Sequence, residues 1–99
     1  MNTIVLNRVP VNTTSQQIAD LMYEEGILTA SNIVCFLNNS YSKTAVIQVN
    51  CWQDTEQAYH IIKGLRYNNA TKIETNKGLF EVKTVQQEEI TRRTVQTMG

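Results

Sequence analysis

The stretch Lys43-Thr44-Ala45-Val46-Ile47-Gln48-Val49 constrains the fold more than any other part of the chain. Side chains alternate across a β-strand. Ala45, Ile47 and Val49 therefore face one way, and Thr44, Val46 and Gln48 the other. The first set is wholly apolar. The second is uncharged, mostly β-branched and half polar. Such a strand belongs at the centre of a sheet, with one face on a core and the other left to meet something else.

The rest of the chain supplies that sheet and its cover. Thr3-Ile4-Val5-Leu6-Asn7 predicts a first strand that ends at Val9-Pro10, because proline cannot donate to a ladder. Asn12-Thr13-Thr14-Ser15 opens a helix, with Thr13 and Gln16, or Thr14 and Gln17, as the capping box. Ile18, Leu21 and Met22 recur at helical spacing, and Glu25-Gly26 provides a glycine stop. Asn32 to Leu37 predicts a second strand. The turn-rich Asn38-Asn39-Ser40-Tyr41-Ser42 makes it the antiparallel hairpin partner of the third.

Asp54 is the predicted N-cap of a second helix, with Gln57 three residues on. Ala58, Ile61, Ile62 and Leu65 form its apolar stripe, and Trp52 closes the core at its entrance. Gly64 costs about 1 kcal/mol relative to alanine inside a helix, which marks the last turn as the weak one. Thr71 to Thr75 is a candidate for a small extra strand, and Asn76-Lys77-Gly78 for a turn. Leu79 to Val85 predicts the fourth strand, with Phe80 and Val82 on one face and Glu81 and Lys83 on the other.

The order is β-α-β-β-α-β. It predicts an α+β fold of ferredoxin-like βαββαβ type, a four-stranded antiparallel sheet with two helices on one face. This domain is expected over residues 1–85. Residues 86–99 are polar apart from Ile90, Val95 and Met98, and form either a tail or a short appended helix.

Composition narrows the function. Nine basic and nine acidic residues cancel. Phosphate contacts supply most of the affinity of a nucleic-acid binder, so any RNA binding by this domain alone is expected to be weak. Cys35 and Cys51 lie in apolar stretches without CxxC spacing and are expected to be reduced, buried small hydrophobes. No metal-spaced cluster or cofactor motif appears. With no signal peptide and no apolar run of membrane-spanning length, no membrane is implied and an intracellular location is expected. Catalysis is not expected either. There is no carboxylate pair or nucleophile elbow, and His60 is the only histidine. The loop Val9-Pro10-Val11-Asn12-Thr13 has no glycine to bring backbone N–H groups onto an anion.

Over residues 3 to 85 the chain resembles an RNA recognition motif. Ile4-Val5-Leu6-Asn7-Arg8-Val9 falls where that family has its strand-one hexapeptide, and Ser42 to Val49 where it has its strand-three octapeptide. Ala45, Ile47 and Val49 match the buried positions of the octapeptide. The departures are as informative. Val5 replaces the family's strand-one aromatic, and Thr44 and Val46 replace its two strand-three aromatics, which stack on bases. Ser42-Lys43 replaces the Lys/Arg-Gly opening of the octapeptide. Domains resembling those of polypyrimidine-tract-binding protein also lack the aromatics, and that family reads RNA with aliphatic and polar sheet residues. The resemblance thus implies an atypical module contacting single-stranded RNA weakly through its sheet.

The open face is expected to carry Val5 and Asn7, Val34 and Phe36, Thr44, Val46 and Gln48, then Glu81 and Lys83. A one-residue slip of strand two would turn Phe36 into the core instead. Phe36 and Tyr41 are candidates for stacking, Lys43 and Lys83 for phosphate contacts, and Asn7 and Gln48 for base edges. An apolar patch of Val5, Val34, Phe36 and Val46 needs a cover. RNA, the C-terminal segment and a protein partner, a second copy included, are the three alternatives.

Overall fold

A computed structural model describes residues 2–75 and 77–84. Its elements are β1 (Thr3–Pro10), α1 (Ser15–Glu24), β2 (Leu28–Leu37), β3 (Ser42–Trp52), α2 (Glu56–Asn68), β4 (Ala70–Thr75) and β5 (Gly78–Thr84). The fold is α+β, with two helices and one five-stranded sheet in the order β2-β3-β1-β5-β4. Every neighbouring pair is antiparallel. Residues 86–99, with Ile90, Val95 and Met98, lie outside the described residues, as do Val85 and Asn76 of the expected turn. No described helix is long and apolar enough to cross a membrane.

Both helices cover the same sheet face. Ile18, Leu21 and Met22 of α1 and Ile61 and Leu65 of α2 form one buried cluster with Ile4, Leu6, Ala45, Ile47, Phe80 and Val82. The stripe of α1 follows from its spacing. Its start follows from Thr14, whose hydroxyl accepts from the Gln17 N–H while the Gln17 side chain accepts from the Thr14 N–H.

The sheet has five strands where four were expected. Residues 70–75 are a full edge strand, paired with β5 from Ala70↔Lys83 to Thr75↔Gly78. Two features hold it. Ile73 is buried in the core, and α2 comes so close at Gly64 that a Cβ there would stand 2.8 Å from the Thr71 Cβ. Gly64 is therefore a packing glycine, not a point of fraying. The helix runs on to Asn68 and stops at Asn69, in the left-handed conformation at φ 61°.

The N-cap of α2 is Thr55, not Asp54. The Thr55 hydroxyl accepts from the Ala58 N–H at 3.0 Å and donates to the Gly26 carbonyl, which ties the start of α2 to the end of α1. Asp54 instead accepts from the Tyr59 hydroxyl at 2.7 Å on the surface. Thr55→Ala is expected to cost about 1 kcal/mol and Asp54→Ala almost nothing, measured by urea denaturation. Equal losses would return the cap to Asp54.

Three irregularities shape the sheet. In β1 the register shifts between Leu6 and Val9, with Arg8 at φ 63°. A bulge adds one residue and re-aims those that follow, so Val9 is buried in the core and Arg8 is exposed. In β2 and β3 the register shifts around Ser31 and Asn50. The core therefore takes Ala30 and Ile33 from β2, and Val49 and Trp52 from β3. The second shift corrects one expectation: Cys51 is turned outward and exposed, while Cys35 is half-buried.

Candidate functional site

The sheet face away from the helices is built in three rows. Residues paired across antiparallel strands share a face, so the register defines each row. The central row is Val34, Val46, Val5 and Lys83, contributed by β2, β3, β1 and β5 in turn. On one side of it lie Phe36, Thr44, Asn7 and Glu81. On the other lie Asn32, Gln48 and Thr3. The pairing of Phe36 with Thr44 puts the aromatic on the open face, with Ile33 and Cys35 beneath on the helix side.

The Phe36 row is a connected chain of polar groups. Thr44 is only 5% exposed, and its hydroxyl is the hub of the row. It accepts from Asn38 Nδ2 at 2.9 Å and donates to Asn7 Oδ1 at 3.0 Å. Asn38 Oδ1 stands 3.1 Å from the same hydroxyl. Asn7 Nδ2 reaches on to Glu81 Oε1 at 3.4 Å, and Lys83 Nζ stands 3.2 Å from that oxygen. The hairpin and three strands are thereby tied together across their open side. No buried side-chain nitrogen or oxygen among the described residues lacks a partner.

The charges of the face are balanced within it. A hydrogen bond from Lys83 holds the Glu81 carboxyl below its ordinary value, against partial desolvation; the charge of Lys83, the Asn7 amide and the Arg8 charge act in the same lowering sense. A carboxyl lowered in the folded state contributes stability that is present above its unfolded value and lost as pH falls through its folded one. A carbon-detected NMR titration is expected to place the Glu81 midpoint below that of an ordinary glutamate. Lys83→Met should move it back up; an unmoved midpoint would remove the pair from the account.

The row of Val34, Val46 and Val5 is apolar. Val34 is 44% and Phe36 39% exposed, while Val5 is buried between its strand neighbours. Tyr41 is exposed at the tip of the β2–β3 hairpin, and its carbonyl accepts from the Val11 N–H at 3.1 Å. Lys43 pairs with Leu37 and Val9, on the side of Ala45 and Ile47. The sheet itself therefore separates Lys43 from the Phe36 patch. Of the expected residues, Val5, Asn7, Val34, Phe36, Thr44, Val46, Gln48 and Lys83 share the face; Tyr41 and Lys43 do not.

Asn38, Asn32 and Thr3 complete the face and were not anticipated. The signal for Asn32 and Thr3 is the two-residue alternation from Val34 and Val5. Asn38 belongs to a loop, where alternation gives no direction. On the far side of the molecule a shallow groove of about 400 Å³ lies between α2 and β4, lined by His60, Lys72 and Glu74 among others. Its charges are mixed, and among the described residues no group of three or more potential metal ligands occurs. No protein-family model, curated protein or solved structure matches this chain.

Proposed function

We propose that the chain is an atypical RNA recognition motif of ferredoxin-like fold, extended by an edge strand, that binds single-stranded RNA weakly through its open sheet face. The observation that carries this reading is the position of Phe36. It is an exposed aromatic at the end of a hydrogen-bonded polar row, beside the apolar row of Val34 and Val46. A base stacked on Phe36 would have the Asn38 amide, the Gln48 amide and Lys83 within the same face for edges and phosphates. The β-α-β-β-α-β-β order, which is the six-element pattern with β4 added before the last strand, and the resemblance of strands one and three support the same reading. The Glu81–Lys83 pair limits the electrostatic contribution and keeps the affinity low.

NMR titration of the full chain with short single-stranded RNAs tests the proposal. Amides of Val5, Asn7, Val34, Phe36 and Val46 are expected to shift together. Phe36→Ala should weaken binding roughly tenfold and Val46→Phe, which adds a stacking surface, should strengthen it by a similar factor. Silence of the face at millimolar RNA would sink the reading.

The neutralised lysine and the uncharged apolar row favour a second reading, a protein-interaction module using the same face. In that case Phe36→Ala and Val46→Asp remove a protein partner while RNA produces no shifts.

A further inference from the structure

We propose that the edge of β2 pairs with the β2 edge of a second copy of this chain, antiparallel about a two-fold axis at Cys35, joining the two sheets into one. The proposal concerns the sheet edge and stands apart from what the open face binds.

Among the described residues the two edges of the sheet are β2 and β4, and they differ in kind. Edge strands present unpaired main-chain groups, and monomers blunt them with charge, proline, brevity or a bulge; the register shifts of β2 lie before Asn32 and leave residues 33–37 regular. β4 is short and carries Lys72 and Glu74. β2 spans Leu28–Leu37 with no charge or proline. No charged residue occurs anywhere between Glu25 and Lys43. Its outer half, Ile33-Val34-Cys35-Phe36-Leu37, is apolar on both faces, and Leu37 is 72% exposed. An uncharged edge meets its own copy without repulsion, and net neutrality of the chain adds none.

The main-chain direction selects the register. The Asn38 N–H donates to the Ser42 carbonyl at 3.0 Å across the hairpin. Main-chain groups alternate sides along a strand. Those of Phe36 and Val34 therefore also turn to β3, and those of Ile33, Cys35 and Leu37 turn to the open edge. With the axis at Cys35, all three of these residues exchange hydrogen bonds with the copy. Cys35 lies opposite Cys35, and Ile33 opposite Leu37. Moving the axis to Val34 would set Leu37 against Ser31, where the register is broken.

Side chains fit the same register. A groove of about 240 Å³ lies between α1 and β2, lined by Ser15, Gln16, Ala19 and the segment Ala30 to Ile33. The Leu37 of each copy lies opposite Ile33 of the other, beside that groove. On the open side, Phe36 of each copy lies opposite Val34. The contact is self-complementary, as a closed two-fold interface requires.

Sedimentation equilibrium and thiol cross-linking of the full chain test this. A dimer mass is expected as concentration rises. A short bismaleimide should join two copies of the Cys51→Ser variant and fail on Cys35→Ser. Leu37→Lys, a change at an exposed site, should raise the dissociation constant roughly tenfold or more. Val46→Asp, on the open face, should leave it unchanged. A single-chain mass at millimolar concentration overturns the proposal. So does cross-linking through Cys51 alone, or a dimer that yields to Val46→Asp and not to Leu37→Lys.

Discussion

Gly64→Ala is expected to destabilise the fold by about 2 kcal/mol, although alanine is the better helix former by about 1 kcal/mol. The new methyl would stand 2.8 Å from the Thr71 Cβ and 2.9 Å from its Oγ1. Real carbon atoms do not approach so closely, so α2 or β4 must move. β4 is the element with less to hold it, since among the described residues it pairs on one side only. The loss should therefore appear first as faster amide exchange across Ala70–Thr75, then as a lower denaturation midpoint. A second substitution locates the strain. Thr71→Ala keeps the offending Cβ and should rescue little; Thr71→Gly removes it and should recover part of the loss. A Gly64→Ala variant as stable as the parent, or more so, would mean that the helix and strand are not in contact there.

Thr44→Val has the second large effect, about 1–2 kcal/mol of stability. The shape is kept and only the hydroxyl is lost. Thr44 is nearly buried, and its hydroxyl partners both Asn7 and Asn38. Removal of the hydroxyl leaves the half-buried Asn7 amide oxygen without that partner, while the exposed Asn38 amide can turn to water, and a poorly solvated polar group left unmet costs more than a hydrogen bond contributes. The coupling is testable by a double-mutant cycle with Asn7→Ala. If the hydroxyl works through Asn7, the two losses should fall short of additivity by about 0.5 kcal/mol or more. Full additivity in chemical denaturation would dissolve the proposed connection between the strands.

Much of this architecture is legible in the residues. The stripe of Ile18, Leu21 and Met22, that of Ala58, Ile61 and Leu65, and the alternation of Ala45, Ile47 and Val49 each name their buried face, because burial follows the period of the element. The departures have physical causes. Asp54 and Thr55 are both good caps, and the choice between them is made by the Gly26 carbonyl, which only the folded chain brings near. The fifth strand is foreshadowed by Gly64, which reads as a weakness in a helix until a neighbour is known to lie against it. The bulges leave a trace: Leu6 and Val9, Ala30 and Ile33, and Val49 and Trp52 are core residues three apart in strands whose period is two. That spacing shows where the ladder slips, and with it why Cys51 turns outward. The open face is legible as a set of residues once the register is known. The polar row through Thr44 is not, because alternation assigns a side and says nothing of which amide meets which hydroxyl.

The position of β1 has a consequence for how the sheet is assembled. It sits between β3 and β5, so Ile4 pairs with Ile47 on one side and Thr84 on the other. The β2–β3 and β4–β5 ladders are local and close on the timescale of hairpins, about 1–10 µs. Pairings distant in sequence are slow, because loop-closure entropy must be met before they are rewarded. During synthesis the earliest described strand therefore gains its second neighbour only when the latest one has been made. Until it is inserted, the two hairpins each hold an open edge toward the gap that β1 will fill.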